Sequence, residues 1–476
     1  MRKTKIVCTL GPATHSEAMI SRLIQAGMNV ARLNFSHGSH AEHLKMIKTI
    51  RRMAARLGQP IAILQDLQGP KLRVGKMKNG AIELKKNQLI VITTEEILGD
   101  EYRISTTYKQ LPDDVRPGDK ILLDDGLLQV EVMEIKDRQV HCRVLEGGKL
   151  SDHKGINLPG IDISQPSLTE KDRADLEFGI NNGVDLVAMS FVRQADDVRQ
   201  VKEIIYQQQK DILVIAKLEK PDAILHLKAI LQEADGVMIA RGDLGVELPL
   251  PKVPSLQKQI IRLARRLGKP VITATQMLES MRFNSRPTRA EVSDVANAIF
   301  DGTDAVMLSA ETATGNYPIE TVEMMAKIIT EAEKEREHLF SPQRFRDERT
   351  QSIADAISHS ACEAAEYLKV KAIVAFTKSG FTARMVAKYR PQTQIIAFSP
   401  SPLVERQLNL SWGVCPLKMK FLKNTDEIIR QTEQILLDKN LIAVGDVIII
   451  LLGSPIFAKG TTNLMKIHIV EEKSSG

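Results

Sequence analysis

The sequence has few of the features on which nucleic-acid-binding, secreted and membrane-spanning proteins depend. Only 4% of its 476 residues are aromatic, and no dense run of Lys or Arg accompanies the net charge of +6, so little is available to stack on bases or follow a phosphate backbone. The four cysteines form no Cys-x-x-Cys pair, which favours reduced thiols. The longest apolar candidate, 447–452, is far shorter than the ~18 residues of a membrane span. We therefore expect a cytoplasmic protein with neither a nucleic-acid nor a membrane partner.

Short apolar runs alternate with amphipathic stretches over the first 69 residues. The N-terminal MRKTKIVCTLGP enters a strand pattern directly and lacks the apolar segment of a signal peptide. Helical periodicity ending at glycines separates three apolar runs, which predicts strands at 3–11, 28–35 and 61–64. Consecutive strand–helix units are typical of a parallel sheet.

The helical periodicity disappears between residues 71 and 166. Segments such as AIELKKNQLIVITT and DKILLDDGLLQVEVMEI alternate or run apolar between Gly and Asp or Asn turns, a pattern typical of all-β structure. Because only two crossings would tether such an insertion, we expect a mobile β lid on an α/β domain.

Strand–helix alternation resumes after residue 167 and supplies five further strands. With the first three they make eight, the number in a closed (β/α)₈ TIM barrel. An open doubly wound sheet is the alternative, and the count disfavours it. The five strands are predicted at 185–191, 212–216, 236–240, 271–274 and 305–308.

A charged segment at 331–351, interrupted by Pro342, predicts a linker to a third unit. Beyond it we predict strands at 372–376, 394–398 and 447–452, with helices at 353–368 and 426–437. The α/β chain is thus predicted to comprise a barrel domain (1–69 and 167–340), a lid domain (70–166) and a C-terminal α/β domain (350–476).

The chemistry is predicted where two central strands end. Lys217 and Glu219 follow the strand at 212–216, and Asp243 follows the strand at 236–240. Parallel α/β folds place their chemistry at this carboxyl end. One ammonium and two carboxylates suit a divalent metal beside a phosphate-like anion, and a purely structural salt bridge among the three is the alternative.

A second candidate site joins a C-terminal strand to a helix predicted at 382–390. Hydroxyls, a lysine and a glycine at a helix start suit a phosphate-binding loop, and an ordinary helix cap is the alternative. The loop residues are Thr377, Lys378, Ser379, Gly380 and Thr382.

Six long motifs resemble those of pyruvate kinase, and they occur in the same order. They are ARLNFSHG (31–38), IAKLE (215–219), MIARGDLG (238–245), ATQMLESM (274–281), RPTRAEVSDVANA (286–298) and LSAETATGNYP (308–318). The likeness extends to GTTN at 460–463, over nearly the whole chain. It implies a barrel with a β lid inserted after the third strand and a C-terminal effector domain. It also implies tetramers, and the reaction of phosphoenolpyruvate with ADP to give pyruvate and ATP.

The resemblance implies roles for the residues at the strand ends. Glu219 and Asp243 match the ligands of Mg²⁺ (or Mn²⁺) and leave open positions for substrate oxygens. Lys217 matches the catalytic lysine that offsets charge on the transferring phosphoryl group. Arg32 matches the catalytic arginine that binds the substrate phosphate.

The resemblance also implies how the rest of the substrates bind. The amides of Gly242 and Asp243 and the Thr275 hydroxyl match the substrate carboxylate site. Thr275 matches the catalytic threonine near the enolate carbon, where a hydroxyl–water chain delivers a proton. Asp125 either matches a lid carboxylate or only shapes its turn, whereas we interpret Glu311 as part of a structural salt bridge. The contacts to ADP or ATP match Asn34, Ser36, His37, Arg73 and Lys154.

One departure from the family concerns the monovalent cation. Many members bind K⁺ at the positions of Asn34, Ser36, Asp66 and the Leu67 carbonyl, and carry a glutamate where this chain has Lys71. An ammonium at position 71 would replace K⁺, since two cations a few ångströms apart repel strongly at intermediate dielectric. We therefore expect K⁺ to be dispensable.

The effector and two other functions remain open. The ligand of the 377–382 loop is predicted to be fructose bisphosphate, a sugar monophosphate or AMP, and the phosphohistidine-type appendage of some bacterial relatives is absent from the sequence. A barrel lyase or aldolase acting on a pyruvate-like enolate would leave Arg73 and Lys154 without a role. A sugar-phosphate sensor with an inactive barrel would be expected to lack a catalytic residue, and Lys217, Glu219, Asp243 and Thr275 are all present.

Overall fold

Residues 2–339, 352–420, 424–453 and 462–471 are described by the structure, a computed structural model. The first strands are joined by helices with well-defined ends. Ser39 and Glu42 form a reciprocal capping box at the start of the second helix, and Gly58 ends it at φ +62°. These elements are β1 (Lys5–Thr9), α1 (Glu17–Ala26), β2 (Val30–Asn34), α2 (His40–Leu57) and β3 (Ala62–Asp66).

After β3 the chain folds as a unit of β-strands and one short α-helix, with its own hydrophobic core. Its elements are β4 (Ala81–Leu84), β5 (Leu89–Thr93), β6 (Arg103–Ser105), α3 (Leu111–Asp114), β7 (Lys120–Leu123), β8 (Leu128–Lys136), β9 (Gln139–Glu146), β10 (Gly148–Ser151) and β11 (Ile156–Asn157). Six strands pair in the order β11-β7-β8-β9-β5-β6, and β10 pairs with β4. This unit corresponds to the predicted lid and is called the lid below.

The following elements complete the barrel. They are α4 (Glu170–Asn181), β12 (Leu186–Met189), α5 (Ala195–Gln207), β13 (Leu213–Leu218), α6 (Pro221–Leu225), α7 (Leu227–Glu233), β14 (Gly236–Ala240), α8 (Arg241–Glu247), α9 (Val253–Arg266), β15 (Val271–Ala274), α10 (Arg289–Asp301), β16 (Ala305–Leu308), α11 (Ala310–Ala313) and α12 (Pro318–Leu339). Eight parallel strands close in the order β1-β16-β15-β14-β13-β12-β3-β2, which confirms the predicted (β/α)₈ fold. None of the helices in the described ranges has the length and apolarity that a membrane crossing requires.

The C-terminal domain is a five-stranded sheet with helices on both faces. Its elements are α13 (Ile353–Tyr367), β17 (Ala372–Phe376), α14 (Phe381–Ala387), β18 (Gln394–Ser399), α15 (Pro402–Gln407), β19 (Val414–Lys418), α16 (Thr425–Asp438), β20 (Val447–Leu452) and β21 (Leu464–Ile469). The order is β19-β18-β17-β20-β21, and only β21 runs antiparallel. The apolar runs identify the three inner strands but not the two edges. Pro416 interrupts β19, and β21 mixes polar with apolar residues.

The C-terminal domain packs against the base of the barrel, at the end opposite the carboxyl ends of the strands. Leu410 is buried among the side chains of the barrel interior. Beside it, Asn409 donates to the Pro60 carbonyl at 2.6 Å, and Arg406 pairs with the buried Asp185 at 2.7 Å. The domain therefore contacts the barrel core itself as well as its outer surface.

Candidate active site

Two neighbouring strands carry charged residues to the mouth of the barrel. Lys217 is the next-to-last residue of β13, and Glu219 follows that strand. Asp243 lies in the first turn of α8, directly after β14. β13 and β14 pair in parallel, so the residues at their carboxyl ends lie on the same rim. The structure thus brings together the three residues predicted to carry the chemistry.

The Lys217 ammonium has three polar neighbours and is largely buried. Its Nζ lies 2.7 Å from the Ser190 hydroxyl, 2.9 Å from Oε1 of Glu219 and 3.1 Å from Oδ1 of Asp66. Burial alone would lower the pKa of Lys217, but the two carboxylates outweigh burial and raise the pKa above its ordinary value. The side chain is therefore a fixed positive charge.

Asp66 holds a second cation next to this lysine. Nε of Arg32 donates to Oδ2 of Asp66 at 2.6 Å, and Nη1 of Arg32 donates to the Thr9 hydroxyl at 2.9 Å. Burial would raise the pKa of Asp66, but Lys217 and Arg32 lower it below its usual value. One buried carboxylate thus places two cations side by side, an arrangement whose charge would suit a phosphate group.

Of the two predicted metal ligands, Glu219 is buried, whereas Asp243 is exposed at the mouth. Desolvation by the surrounding protein and the negative charge of Glu219 raise the pKa of Asp243 to about 6, which means that the two carboxylates repel each other. A cation between them would relieve this repulsion, and hard carboxylate oxygens suit Mg²⁺. Within the described residues, no group of three His, Cys, Asp or Glu side chains converges. The protein would thus supply two carboxylates and leave the other positions to substrate and water.

Thr275 follows β15 in a strained conformation. Its φ is +70°, which for a β-branched residue costs on the order of 1–3 kcal/mol. The Gly242 amide donates to the Thr275 hydroxyl at 2.7 Å, and that hydroxyl donates to the Ala274 carbonyl at 2.6 Å. Arg241 donates to the Thr275 carbonyl at 2.8 Å, which helps to hold the strained turn. The structure therefore brings Thr275 and Gly242 together, as the sequence predicts.

The lid contributes charges to the same mouth. Lys71, Asp125 and Asp243 line a solvent-open cleft between lid and barrel. Burial and the charge of Arg73 lower the pKa of Lys71, while Asp243 and Asp125 act in the opposite direction. Asp125 has a φ of +53° in its turn. Lys71 therefore lies within electrostatic reach of both a predicted metal ligand and the lid carboxylate.

The residues predicted to contact the nucleotide are not among those that line this cleft, although Arg73 and Lys154 each adjoin a lining residue in the sequence. Burial, followed by the charges of Lys71 and Arg73, lowers the pKa of His37. The two cations therefore act electrostatically on His37. Lys154 pairs with Asp124 at 2.8 Å in the lid turn that precedes the lid carboxylate. The cluster is cationic, as a polyphosphate would require.

The oxygens predicted to bind K⁺ already face protein donors. Oδ1 of Asn34 accepts the Ser36 amide at 3.1 Å, and the Leu67 carbonyl accepts the Ser190 hydroxyl at 2.7 Å. The two oxygens of Asp66 face the arginine and lysine described above. Three members of the predicted set are thus engaged within the protein.

The predicted effector loop runs from the end of β17 into the first turn of α14, which contains Thr382. The Thr382 hydroxyl lies 2.8 Å from the Thr462 hydroxyl of the C-terminal GTTN, whose first two residues are outside the described ranges. The Ser379 carbonyl accepts from Arg384 at 3.1 Å. Helix α14 has seven residues and ends earlier than predicted, so the loop side chains would have to supply most of the attraction for an anion. Lys378 is exposed, and the other loop residues are buried or half-buried: Thr377, Ser379, Gly380 and Thr382.

Sequence reasoning did not identify Ser190 and Phe191, which follow β12. Ser190 contacts Lys217, and the Phe191 amide donates to Oε2 of Glu219 at 2.8 Å. Ser190 could have been identified as a polar residue at the end of the fourth predicted strand. The contact of the Phe191 backbone amide could not, because it does not depend on the side chain.

The interpretation of Glu311 as part of a salt bridge is wrong. Glu311 is fully buried, and its carboxylate accepts the amides of Ser309 at 2.7 Å and Leu278 at 3.2 Å. Within the described residues it makes no ion pair, and burial raises its pKa. The role of Glu311 is therefore structural. Its carboxylate holds the loops through hydrogen bonds from backbone amides, where a cation was expected.

Comparisons with known proteins agree with this architecture. Residues 1–322 match the family model described as pyruvate kinase, barrel domain, and residues 355–468 match pyruvate kinase, alpha/beta domain. The chain is 49% identical over 479 residues to the pyruvate kinase of Staphylococcus aureus strain MRSA252, covering 99% of this chain and 81% of that protein. The pyruvate kinase of strain USA300 gives the same figures.

A solved structure has the same fold over nearly the whole chain. The crystal structure of a pyruvate kinase from Cryptosporidium parvum superimposes with a TM-score of 0.93 at 38% sequence identity, and the match covers 98% of this chain and 96% of the other. The matched family models together span both α/β domains. The chain therefore belongs to the pyruvate kinase family.

Proposed function

We propose that this chain transfers the phosphoryl group of phosphoenolpyruvate to ADP in a Mg²⁺-dependent reaction at the barrel mouth, as the last step of cytoplasmic glycolysis. The observation that carries the proposal is the contact of Lys217 with both Asp66 and Glu219, because it joins the arginine-bearing carboxylate to a metal-ligand carboxylate. A phosphoryl group and its metal require such an arrangement, with two cations beside hard oxygen ligands.

Each side chain has a task in this proposal. Nη2 of Arg32 makes no hydrogen bond within the described residues, and it would bind the phosphate of phosphoenolpyruvate. Lys217 would offset the charge on the equatorial oxygens during transfer. Thr275, held in its strained turn, would position the proton that converts the enolate to pyruvate. When bound to Glu219 and Asp243, Mg²⁺ would polarise substrate oxygens as a Lewis acid.

A coupled assay of the purified protein tests the proposal directly. ATP should form from phosphoenolpyruvate only when ADP and Mg²⁺ are both present, and chelation of the metal should abolish its formation. Pyruvate release without ADP would favour the lyase alternative. No turnover under any condition, in a folded protein, would leave only a binding function.

Lys71 supports the further proposal that K⁺ is dispensable. Its lowered pKa arises from burial and from Arg73, with Lys217 adding to the effect, so the position already carries a cation among other cations. A bound K⁺ would add repulsion to this cluster. The Lys71 ammonium would therefore supply the charge that K⁺ supplies in other members of the family.

The loop of Thr377 to Thr382 is proposed to bind the phosphate of an allosteric effector. We expect Thr377→Ala combined with Ser379→Ala to weaken the response to the active effector at least about tenfold, within the usual range of allosteric coupling, while basal kcat stays unchanged. The measurement is a titration with fructose bisphosphate, a sugar monophosphate and AMP. Ser401→Ala, which removes a helix N-cap hydroxyl in the same domain, is the control. An intact response in the double variant would reduce the loop to a helix cap.

Edge strand β21 supports a homotetramer built partly through this domain. Its outer edge pairs with no other described strand, and Ile467 and Ile469 are 47% and 59% exposed. An exposed apolar edge favours pairing with another chain. Ile469→Lys should therefore lower the mass measured by light scattering, whereas Tyr206→Lys, at an exposed aromatic residue on α5, should not. An unchanged tetramer in the Ile469 variant would move the interface elsewhere.

A further inference from the structure

The two residues after β12 contact both the lysine and one of the metal ligands proposed for the reaction. Ser190 is 2% exposed. Its hydroxyl proton goes to the Leu67 carbonyl at 2.7 Å. Since that proton is committed, the hydroxyl oxygen can only accept from the Lys217 ammonium, which lies 2.7 Å away. Ser190 therefore fixes the direction of one N–H bond of the lysine.

The next residue fixes the metal ligand. The Phe191 amide donates to Oε2 of Glu219 at 2.8 Å. In the conformation that directs this amide at Glu219, Phe191 has a φ of +54°, a left-handed backbone conformation that is strained for a bulky residue. Strain of this kind persists only where the surrounding contacts over-determine it.

The same turn contacts the segment that leads into the lid. Gly69 has a φ of +69°, and a Cβ at this position would lie 2.7 Å from the Phe191 ring and 3.0 Å from Cβ of Ser190. The backbone before the lid therefore passes directly over the turn. Leu67, which accepts the serine hydroxyl, belongs to this segment. Ser190 and Phe191 thus contact the lysine, the metal ligand and the segment that leads into the lid.

We propose that Ser190 is a positioning residue that aims the Lys217 ammonium at the transferring phosphoryl group, while the strained Phe191 amide holds Glu219 for the metal. The proposal rests on the proposed function. It assigns the serine to the transfer step alone, because its hydroxyl contacts the lysine and none of the groups that handle the proton.

Ser190→Ala removes this acceptor with little change in volume. We expect kcat for ATP formation to fall about 10- to 100-fold, the range for losing a hydrogen bond to a buried charged group. The KM for phosphoenolpyruvate should change less than about threefold, because the serine would act through Lys217 on the transition state. Exchange of the pyruvate methyl protons with deuterium should also fall less than about threefold. Mn²⁺ affinity, measured by electron paramagnetic resonance, should stay unchanged, because a backbone amide holds Glu219.

Two variants separate positioning from simple destabilisation. Ser190→Thr keeps the hydroxyl and should restore most of the transfer rate. Thr321→Val removes another fully buried hydroxyl, which lies in α12 and donates to the carbonyl of Tyr317, the residue before that helix, at 2.6 Å. It should leave the ratio of transfer to proton exchange unchanged. If the alanine variant fails to fold, Ser190→Cys, with a weaker acceptor, should show the same separation of the two rates.

The outcomes distinguish this inference from the proposed function. Equal loss of transfer and proton exchange, or no loss of transfer, in a folded Ser190 variant would overturn the positioning role. Failure of the unaltered protein to make ATP from phosphoenolpyruvate and ADP would instead overturn the proposed function.

Discussion

Replacing Lys217 with methionine should lower kcat for phosphoryl transfer by about a thousandfold or more, or roughly 4 kcal/mol. The ammonium lies between Asp66 and Glu219, and no other cation in the described contacts occupies that position. Methionine has a similar length but no charge, so the developing charge on the phosphoryl oxygens would lose its partner. Proton exchange into pyruvate should remain measurable, because it requires no phosphoryl transfer. The two rates can be followed on one preparation, by a coupled assay and by deuterium incorporation.

A second lysine provides the matched control for this variant. Lys202 pairs with Asp235 at 3.1 Å on the outside of the barrel, and Lys202→Met also removes an ammonium from a carboxylate. It should leave both rates within about threefold of the original, since surface pairs contribute little. Equal loss of transfer and exchange in the Lys217 variant would mean that the lysine acts on both steps and has been misassigned.

The barrel could be predicted because its strands are buried on both faces. The predicted strand at 236–240 has the bounds of β14, whose five residues are all buried, and a continuous apolar run of that kind is easily recognised. The predicted strand at 212–216 ends two residues before the end of β13, because a charged residue such as Lys217 is more typical of a loop than of a buried strand. It lies in the strand because Asp66 and Glu219 compensate its charge.

The contacts that orient the site were not predictable from local pattern. Asp66 was considered only as a K⁺ ligand, yet it bridges Arg32 and Lys217, an arrangement that depends on barrel closure. The positive φ of Thr275 contradicts the preference of a β-branched residue. Tertiary contacts enforce it, so only the folded chain reveals it.

Replacing Lys71 with glutamate should convert the enzyme from K⁺-independent to K⁺-dependent. The unaltered protein should keep at least about a tenth of its KCl activity when tetramethylammonium replaces K⁺, because an ammonium already occupies the mouth. In Lys71→Glu the charge reverses beside Asp125 and Asp243, both of which lie close enough to influence the pKa of Lys71. Activity without K⁺ should then fall about a hundredfold, a loss of roughly 3 kcal/mol. KCl should restore most of it, whereas tetramethylammonium should not.

The position of the charge, more than the net charge of the lid, should determine this behaviour. Lys76→Glu makes the same charge change at a second lid lysine, which is exposed, and it should remain active without K⁺. The difference follows from position, because Lys71 lines the cleft with Asp243 and Lys76 does not. Exposed charges outside such a cleft are screened by salt at physiological ionic strength. A tenfold or greater stimulation of the unaltered protein by K⁺ would mean that the ammonium does not replace the ion. In that case the oxygens of Asn34 and Asp66 would have to exchange their present protein donors for K⁺.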